Sequence, residues 1–226
     1  MNPEDALTAA LKAVVAIRNG KGAVIGSGVV VAKDTVLTAL HVIQGEAGSS
    51  LSVAGRPATD SVVTLPTWRY GRGRKVARMS HRRSCVLTGI DSNTVDLAML
   101  TVPNLDAPAA PMRHEPVQPG ERVAVASYPN GRWTVSLGPV TSADEADYVA
   151  HVLLGPGASG APAVDSAGRI CGVLTMDHLT AGAILIGPQL LTAFTDKAGR
   201  MTPHHAQPCP WCFPTDDHPD PDCDHS

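Results

Sequence analysis

The sequence predicts an all-β fold of two antiparallel barrels with short helices near its ends, and three observations carry that expectation. Short valine-rich runs recur along the chain, each closed by a turn-type break such as Asn19-Gly20 or Lys33-Asp34. A proline-dense stretch, residues 103–119 with prolines at 103, 108, 111, 116 and 119, divides those runs into two sets and reads as an extended linker between lobes. Composition agrees, since 21 Gly and 19 Pro exceed a sixth of the 226 residues. Apolar residues supply 43% of the chain but aromatics only 4%, so the core rests on Val, Leu, Ala and Ile.

Residues 4–12 place Leu7 and Leu11 on one face of a short amphipathic helix. Strand-like runs are expected at 13–18, 23–32, 35–38, 51–53, 61–65, 85–89 and 97–102. The stretch 66–84 lacks a clear period and reads as a loop or frayed hairpin. After the crossover, further strands are expected at 122–127, 134–142, 148–154, 161–164, 169–175 and 183–186. Pro188 suits the first turn of a closing helix, with Leu190, Leu191 and Phe194 as its apolar face and Gly199 as its stop. The chain is thus divided into a helix (1–12), a first barrel (13–102), a linker (103–116), a second barrel (117–187), a helix (188–199) and a tail (200–226). The tail has almost nothing to bury and is expected to be disordered unless a metal orders it.

Several classes are set aside by composition. No apolar run approaches the roughly 18 residues of a membrane span, and no membrane partner is expected. The acidic opening Met1-Asn2-Pro3-Glu4-Asp5 lacks the basic-then-apolar order of a secretory signal, so a cytoplasmic protein is expected. The five cysteines are an odd number with Cys209, Cys212 and Cys223 crowded into the tail, which excludes a disulfide framework across the body. The net charge of −3 is unevenly spread. Arg69, Arg72, Arg74, Lys75, Arg78, Arg82 and Arg83 form a basic stretch, read as a solvated loop in preference to a nucleic-acid contact. In the acidic tail, Cys209, Cys212, His218, Cys223 and His225 form a candidate structural zinc set, although the second ligand pair has unusual spacing.

Three segments carry the chemistry, and their order matters. Val36-Leu37-Thr38-Ala39-Leu40-His41-Val42 follows Gly26-Ser27-Gly28 and ends in a histidine just after an apolar strand. Thr94-Val95-Asp96-Leu97-Ala98-Met99-Leu100 opens an apolar strand with an acid. Gly155-Pro156-Gly157-Ala158-Ser159-Gly160-Ala161-Pro162 sets a serine in a glycine-rich turn. Acyl transfer by serine needs a base for the Oγ proton and an acid to fix the imidazole tautomer. It also needs backbone N–H donors aimed at the developing oxyanion, which Gly157 and Ser159 can supply. Each residue alone has an ordinary structural reading, and it is the three in combination that favour catalysis.

The segments TALHV, DLAML and GPGASGAP resemble the trypsin-like peptidases, nearest the bacterial HtrA (high-temperature requirement) type, over about residues 13–190. The stretch from Pro119-Gly120-Glu121-Arg122 through Gly138-Pro139-Val140 is similar to that family's opening of the second barrel. The resemblance implies a chymotrypsin-like fold of two six-stranded barrels with the site in the crevice between them. It implies a serine endopeptidase cutting protein or peptide substrates, with no cofactor for catalysis. His41 is then base and acid, Asp96 orients it, Ser159 attacks, and the Gly157 and Ser159 amides form the oxyanion hole. A substrate pocket falls near Leu153, Thr175 and Met176, where no charge is visible, so a small or apolar side chain before the cut is expected. Ala158 stands where digestive members carry an acid that pairs with a new N-terminus, and Ala161 replaces a common glycine. No PDZ-sized segment follows the body. These departures leave open a latent enzyme awaiting a regulatory protein partner. The rival is a catalytically inactive barrel that serves as a protein- or nucleic-acid-binding module.

Overall fold

The computed structural model describes residues 3–44, 50–54, 61–64, 67–71, 74–78, 86–88, 95–102, 104–178 and 182–200. Helix α1 (Pro3–Leu11) leads into β1 (Val14–Arg18), β2 (Val24–Ala32) and β3 (Thr35–Thr38). Helix α2 (Leu40–Gln44) precedes β4 (Ser50–Ala54), β5 (Ser61–Thr64), β6 (Thr67–Gly71), β7 (Arg74–Arg78), β8 (Val86–Thr88) and β9 (Ala98–Thr101). The second half comprises β10 (Arg122–Ser127), a 3-10 turn (Pro129–Gly131), β11 (Thr134–Ala143), β12 (Asp147–Ala150) and β13 (Pro162–Val164). It closes with β14 (Ile170–His178), β15 (Gly182–Ile186) and helix α3 (Pro188–Arg200). The molecule is mostly β, as its sequence predicts.

Two sheets form the body. The first holds seven strands in the order β5-β4-β1-β2-β3-β9-β8, and the second is a closed six-stranded barrel, β10-β11-β12-β15-β14-β13. Glycine lets the barrel close at β11, where a side chain on Gly138 would run into the His151 backbone. Within the basic stretch, β6 pairs with β7 antiparallel in the register Thr67↔Arg78 to Gly71↔Arg74. Of the two readings of this stretch, loop or frayed hairpin, the pairing agrees with the second. The tail, including the candidate zinc ligands Cys209, Cys212, His218, Cys223 and His225, lies outside the described residues.

Small aliphatic side chains fill both interiors, as the composition requires. Val15, Ile17, Val29, Leu37, Leu51, Leu97 and Leu100 are fully enclosed in the first lobe, and Val125, Ala150, Ala163 and Leu185 in the second. The first cluster also takes in Ile170, Val173 and Ile186 of the barrel and Leu191 and Phe194 of α3, so it continues across the junction. A third cluster joins Val14 and Ala16 on β1 to Ala126 and Tyr128, with the Tyr128 and Trp133 rings edge-to-face at 5.1 Å. Helix α1 forms where expected, but Ala6 and Ala10 are its buried residues, while Leu7 and Leu11 are only partly covered. The reason is close approach. Gly168, at φ 76°, lies so near Ala6 that a side chain there would meet its carbonyl.

The proline-rich crossover is docked rather than free. Met112 bridges Ile170 in parallel, Arg113 N–H donates to Ile170 O and Ile170 N–H to Pro111 O, both at 2.8 Å. Arg113, buried, then binds Glu121 through both terminal nitrogens and the Glu115 and Pro116 carbonyls. Asp165 completes the group, pairing with Arg169 at 2.9 Å. The Arg113 guanidinium, chiefly through its hydrogen bond, holds the Glu121 carboxyl below the usual carboxylate range. A depressed folded-state pKa contributes stability that is present above the unfolded value, about 4.3, and is lost as pH falls through the folded one. Urea midpoints measured between pH 7 and pH 2.5 are therefore expected to fall more steeply for the wild type than for Glu121→Gln, and parallel curves would exclude this linkage.

Candidate active site

Strand register sets the first pair. Thr38 at the end of β3 faces Ala98 at the start of β9, so the residues just beyond them, His41 and Asp96, emerge at the same end of the sheet. Between them the chain turns into α2, and Leu40 N–H donates to the Asp96 carbonyl at 3.2 Å. His41 thus stands in the first turn of a five-residue helix rather than directly on a strand end. The Asp96 carboxylate takes two bonds from this one residue: Oδ1 accepts the His41 backbone N–H at 2.9 Å, and Oδ2 lies 2.6 Å from Nδ1. An ionised carboxylate only accepts, so it holds the neutral ring in the tautomer with a proton on Nδ1 and a free lone pair on Nε2. Both side chains are partly open to solvent, at 42% and 35%.

The serine turn comes from the other lobe and is fastened through its carbonyls. Gly155 O accepts from Ala158 N at 3.0 Å, Pro156 O from Asn130 N at 2.8 Å, and Gly157 O from the Ser27 hydroxyl at 2.9 Å. Ala158 O accepts from Ala161 N at 2.9 Å, and Ser159 O from Ser27 N at 2.8 Å. A trans peptide points its N–H away from its C=O. The Gly157 and Ser159 N–H groups are therefore turned away from Asn130 and Ala161, and among the described residues neither meets an acceptor. Gly157 has φ 94° and Gly160 φ 80°, values that a side chain would oppose.

The turn also lies against the histidine's lobe. A side chain on Gly26 would meet Val42, the neighbour of His41, and the Ser159 carbonyl 3.1 Å away. One on Gly160 would strike Thr38 Oγ1 and Ser27 O. The structure thus joins His41 to Asp96 directly and sets Ser159 beside Val42. The Ser159 hydroxyl makes no hydrogen bond to His41 among the described residues. Such bonds are often long without substrate and tighten when it binds.

The expected pocket residues have distinct settings. Thr175 follows Leu174, whose carbonyl accepts from Gly160 N at 2.8 Å, so this part of β14 runs alongside the serine turn. Leu153 is anchored by its carbonyl to Ser136 Oγ at 2.8 Å, while its side chain is 75% exposed, and Met176 is 52% exposed. The buried Cys171, its thiol pushed up to about 12 by burial, is no competing nucleophile. Among the described residues no group of three or more His, Cys, Asp or Glu could hold a metal. Two contributors escaped sequence reading: the Ser27 hydroxyl and the Asn130 amide, at φ 50°. The only signal for Ser27 was a hydroxyl between two glycines of an apolar strand.

A closed six-stranded barrel docked on a β-sheet, with histidine and acid on one lobe and the serine turn on the other, defines the chymotrypsin-like class of folds. The chain belongs to the family of trypsin-like peptidase domains, which it matches over residues 26–173. No curated protein is matched by sequence. Solved structures give the same fold at low identity. The Rv3671c protease of M. tuberculosis H37Rv, in an inactive serine-to-alanine form, is 21% identical with a TM-score of 0.62, over 88% of this chain and 92% of that one. A serine endoprotease from Yersinia pestis is 22% identical with a TM-score of 0.66, over 89% and 68%. The HtrA-type protease AlgW, solved with a decapeptide, is 16% identical with a TM-score of 0.66 over the same shares.

Gly160→Ala brings positive-φ strain and a collision with Thr38 and Ser27 together. It is expected to destabilise the fold by about 1–3 kcal/mol, read as a lower urea midpoint at unchanged slope.

Proposed function

We propose that this protein is a serine endopeptidase that hydrolyses peptide bonds through an acyl-enzyme, with His41, Asp96 and Ser159 as its triad. The observation that carries the reading is the serine turn, in which five successive carbonyls are held while the Gly157 and Ser159 N–H groups stay unbonded among the described residues. An oxyanion hole needs that arrangement, with donors fixed in place before charge develops. In the mechanism, Ser159 Oγ attacks the scissile carbonyl carbon as His41 Nε2 takes its proton. The oxyanion that forms is met by the two amides. The C–N bond then breaks as the imidazolium returns the proton to the leaving amine. Water repeats the sequence on the ester and frees the serine. Asp96 keeps Nδ1 protonated and stabilises the imidazolium without taking the proton.

The substrate is a protein or peptide, and this chemistry needs no cofactor. The exposed Leu153 and Met176 side chains, with Thr175 between the latter and the serine turn, favour an apolar residue before the cut.

Labelling by a fluorophosphonate probe tests the reading. Folded wild type is expected to label, and heat-denatured protein and Ser159→Ala are not. Asp96→Asn, which leaves His41 in the wrong tautomer, is expected to label on the order of 10⁴-fold more slowly. Well-folded wild type that does not label would instead support an inactive, partner-binding module.

A further inference from the structure

We propose that Ser27 is a positioning residue for the oxyanion hole, its buried hydroxyl acting as a clamp that shapes the serine turn only when the two lobes are docked. The inference rests on the peptidase reading above and names a residue that this reading does not use. Ser27 has no solvent exposure, and its polar atoms meet the second lobe at three points. Its backbone N–H donates to Ser159 O at 2.8 Å. Its hydroxyl donates to Gly157 O at 2.9 Å and accepts the Tyr128 N–H at 3.0 Å. The hydroxyl therefore both donates and accepts and has one permitted orientation: its proton must point to Gly157, because Tyr128 offers only a donor.

The bond to Gly157 matters because of where that carbonyl sits. The two candidate oxyanion donors belong to the 156–157 and 158–159 peptides, and the 157–158 peptide lies between them. Fixing its carbonyl fixes the rotation on either side, at a glycine whose φ of 94° no side chain stabilises. Asn130 N–H holds the preceding peptide through Pro156 O, from the segment that Tyr128 begins. Ser27 and the Tyr128–Asn130 segment thus grip consecutive peptides of the turn, and Ser27 connects the two grips. Thr38 Oγ1, donating to Ser27 O at 2.7 Å, anchors the clamp to β3, the strand that leads to His41. Removal of the hydroxyl leaves His41, Asp96 and Ser159 chemically intact but frees the carbonyl between the two donors.

The test compares wild type, Ser159→Ala, Ser27→Ala and Ser27→Cys. A small displacement of reacting groups costs rate rather than binding. For Ser27→Ala, folded by circular dichroism, kcat on a peptide substrate and the fluorophosphonate labelling rate are expected to fall roughly 10- to 100-fold. KM is expected to stay within about twofold. Ser27→Cys keeps the volume with a weaker donor and is expected to fall between. A merely structural role would lower the melting temperature and leave kcat of the folded protein unchanged, and that result overturns the clamp. Where Ser27→Ala fails to fold, Ser27→Cys carries the same comparison. Amide exchange by NMR reads the clamp without chemistry, with faster exchange expected at Tyr128, Ala158 and Ala161 in Ser27→Ala. A wild type that does not label defeats the peptidase reading alone. The clamp is then judged by exchange, and unchanged protection at those amides overturns it.

Discussion

Two glycines and a serine in β2 set the distance between the halves of the site. Gly26 leaves room for Val42, Gly28 for Val36 and Val15, and between them Ser27 reaches the other lobe with both its backbone and its side chain. The interaction is short and its Ser27 end is fully buried, so water competes little for it, and a partner lost there would leave polar groups unsatisfied. The proposed mechanism depends on this junction, because the histidine and the serine arrive on different sheets. The apolar cluster around Tyr128 and Trp133, the shared core beneath α3 and the Arg113 group reinforce it from other sides.

Within the first lobe the logic is one of register. Pairing of Thr38 with Ala98 leaves His41 and Asp96 at one end of their strands, and the turn into α2 brings backbone and ring of the same histidine onto one carboxylate. Two bonds to a single acid restrict the imidazole in position as well as in tautomer. The second lobe contributes no charge of its own to the serine turn. It contributes oriented peptide groups, and in the proposed mechanism their dipoles need no reorganisation when charge appears.

Much of this was legible in the sequence. Valine runs and turn residues announced a β protein, and three short motifs in a fixed order singled out His41, Asp96 and Ser159 as the candidate triad. What stayed hidden was non-local. Ser27 meets Gly157 across 130 residues, and nothing near either residue announces the bond. The partners of Arg113 all follow it in the chain, and Asp165 and Ile170 lie more than fifty residues on, so the crossover looked like a spacer when it is docked on β14. The amphipathic pattern placed Leu7 and Leu11 on one face of α1, and both pack against core clusters, but it gave no sign of the close approach of Ala6 to Gly168. The helix holding His41 is five residues long, too short for any periodicity to show.

The interior is made chiefly of valine, alanine and leucine, with Tyr148 the largest fully enclosed side chain among the described residues. Valine has few rotamers to choose among, and alanine has none. Such an interior offers little internal freedom through which a strand might shift while its neighbours adjust. The consequence is mechanical stiffness: the scaffold keeps its backbone groups in place chiefly by small, stiff side chains, and the hydrogen-bond donors that project from it inherit that rigidity.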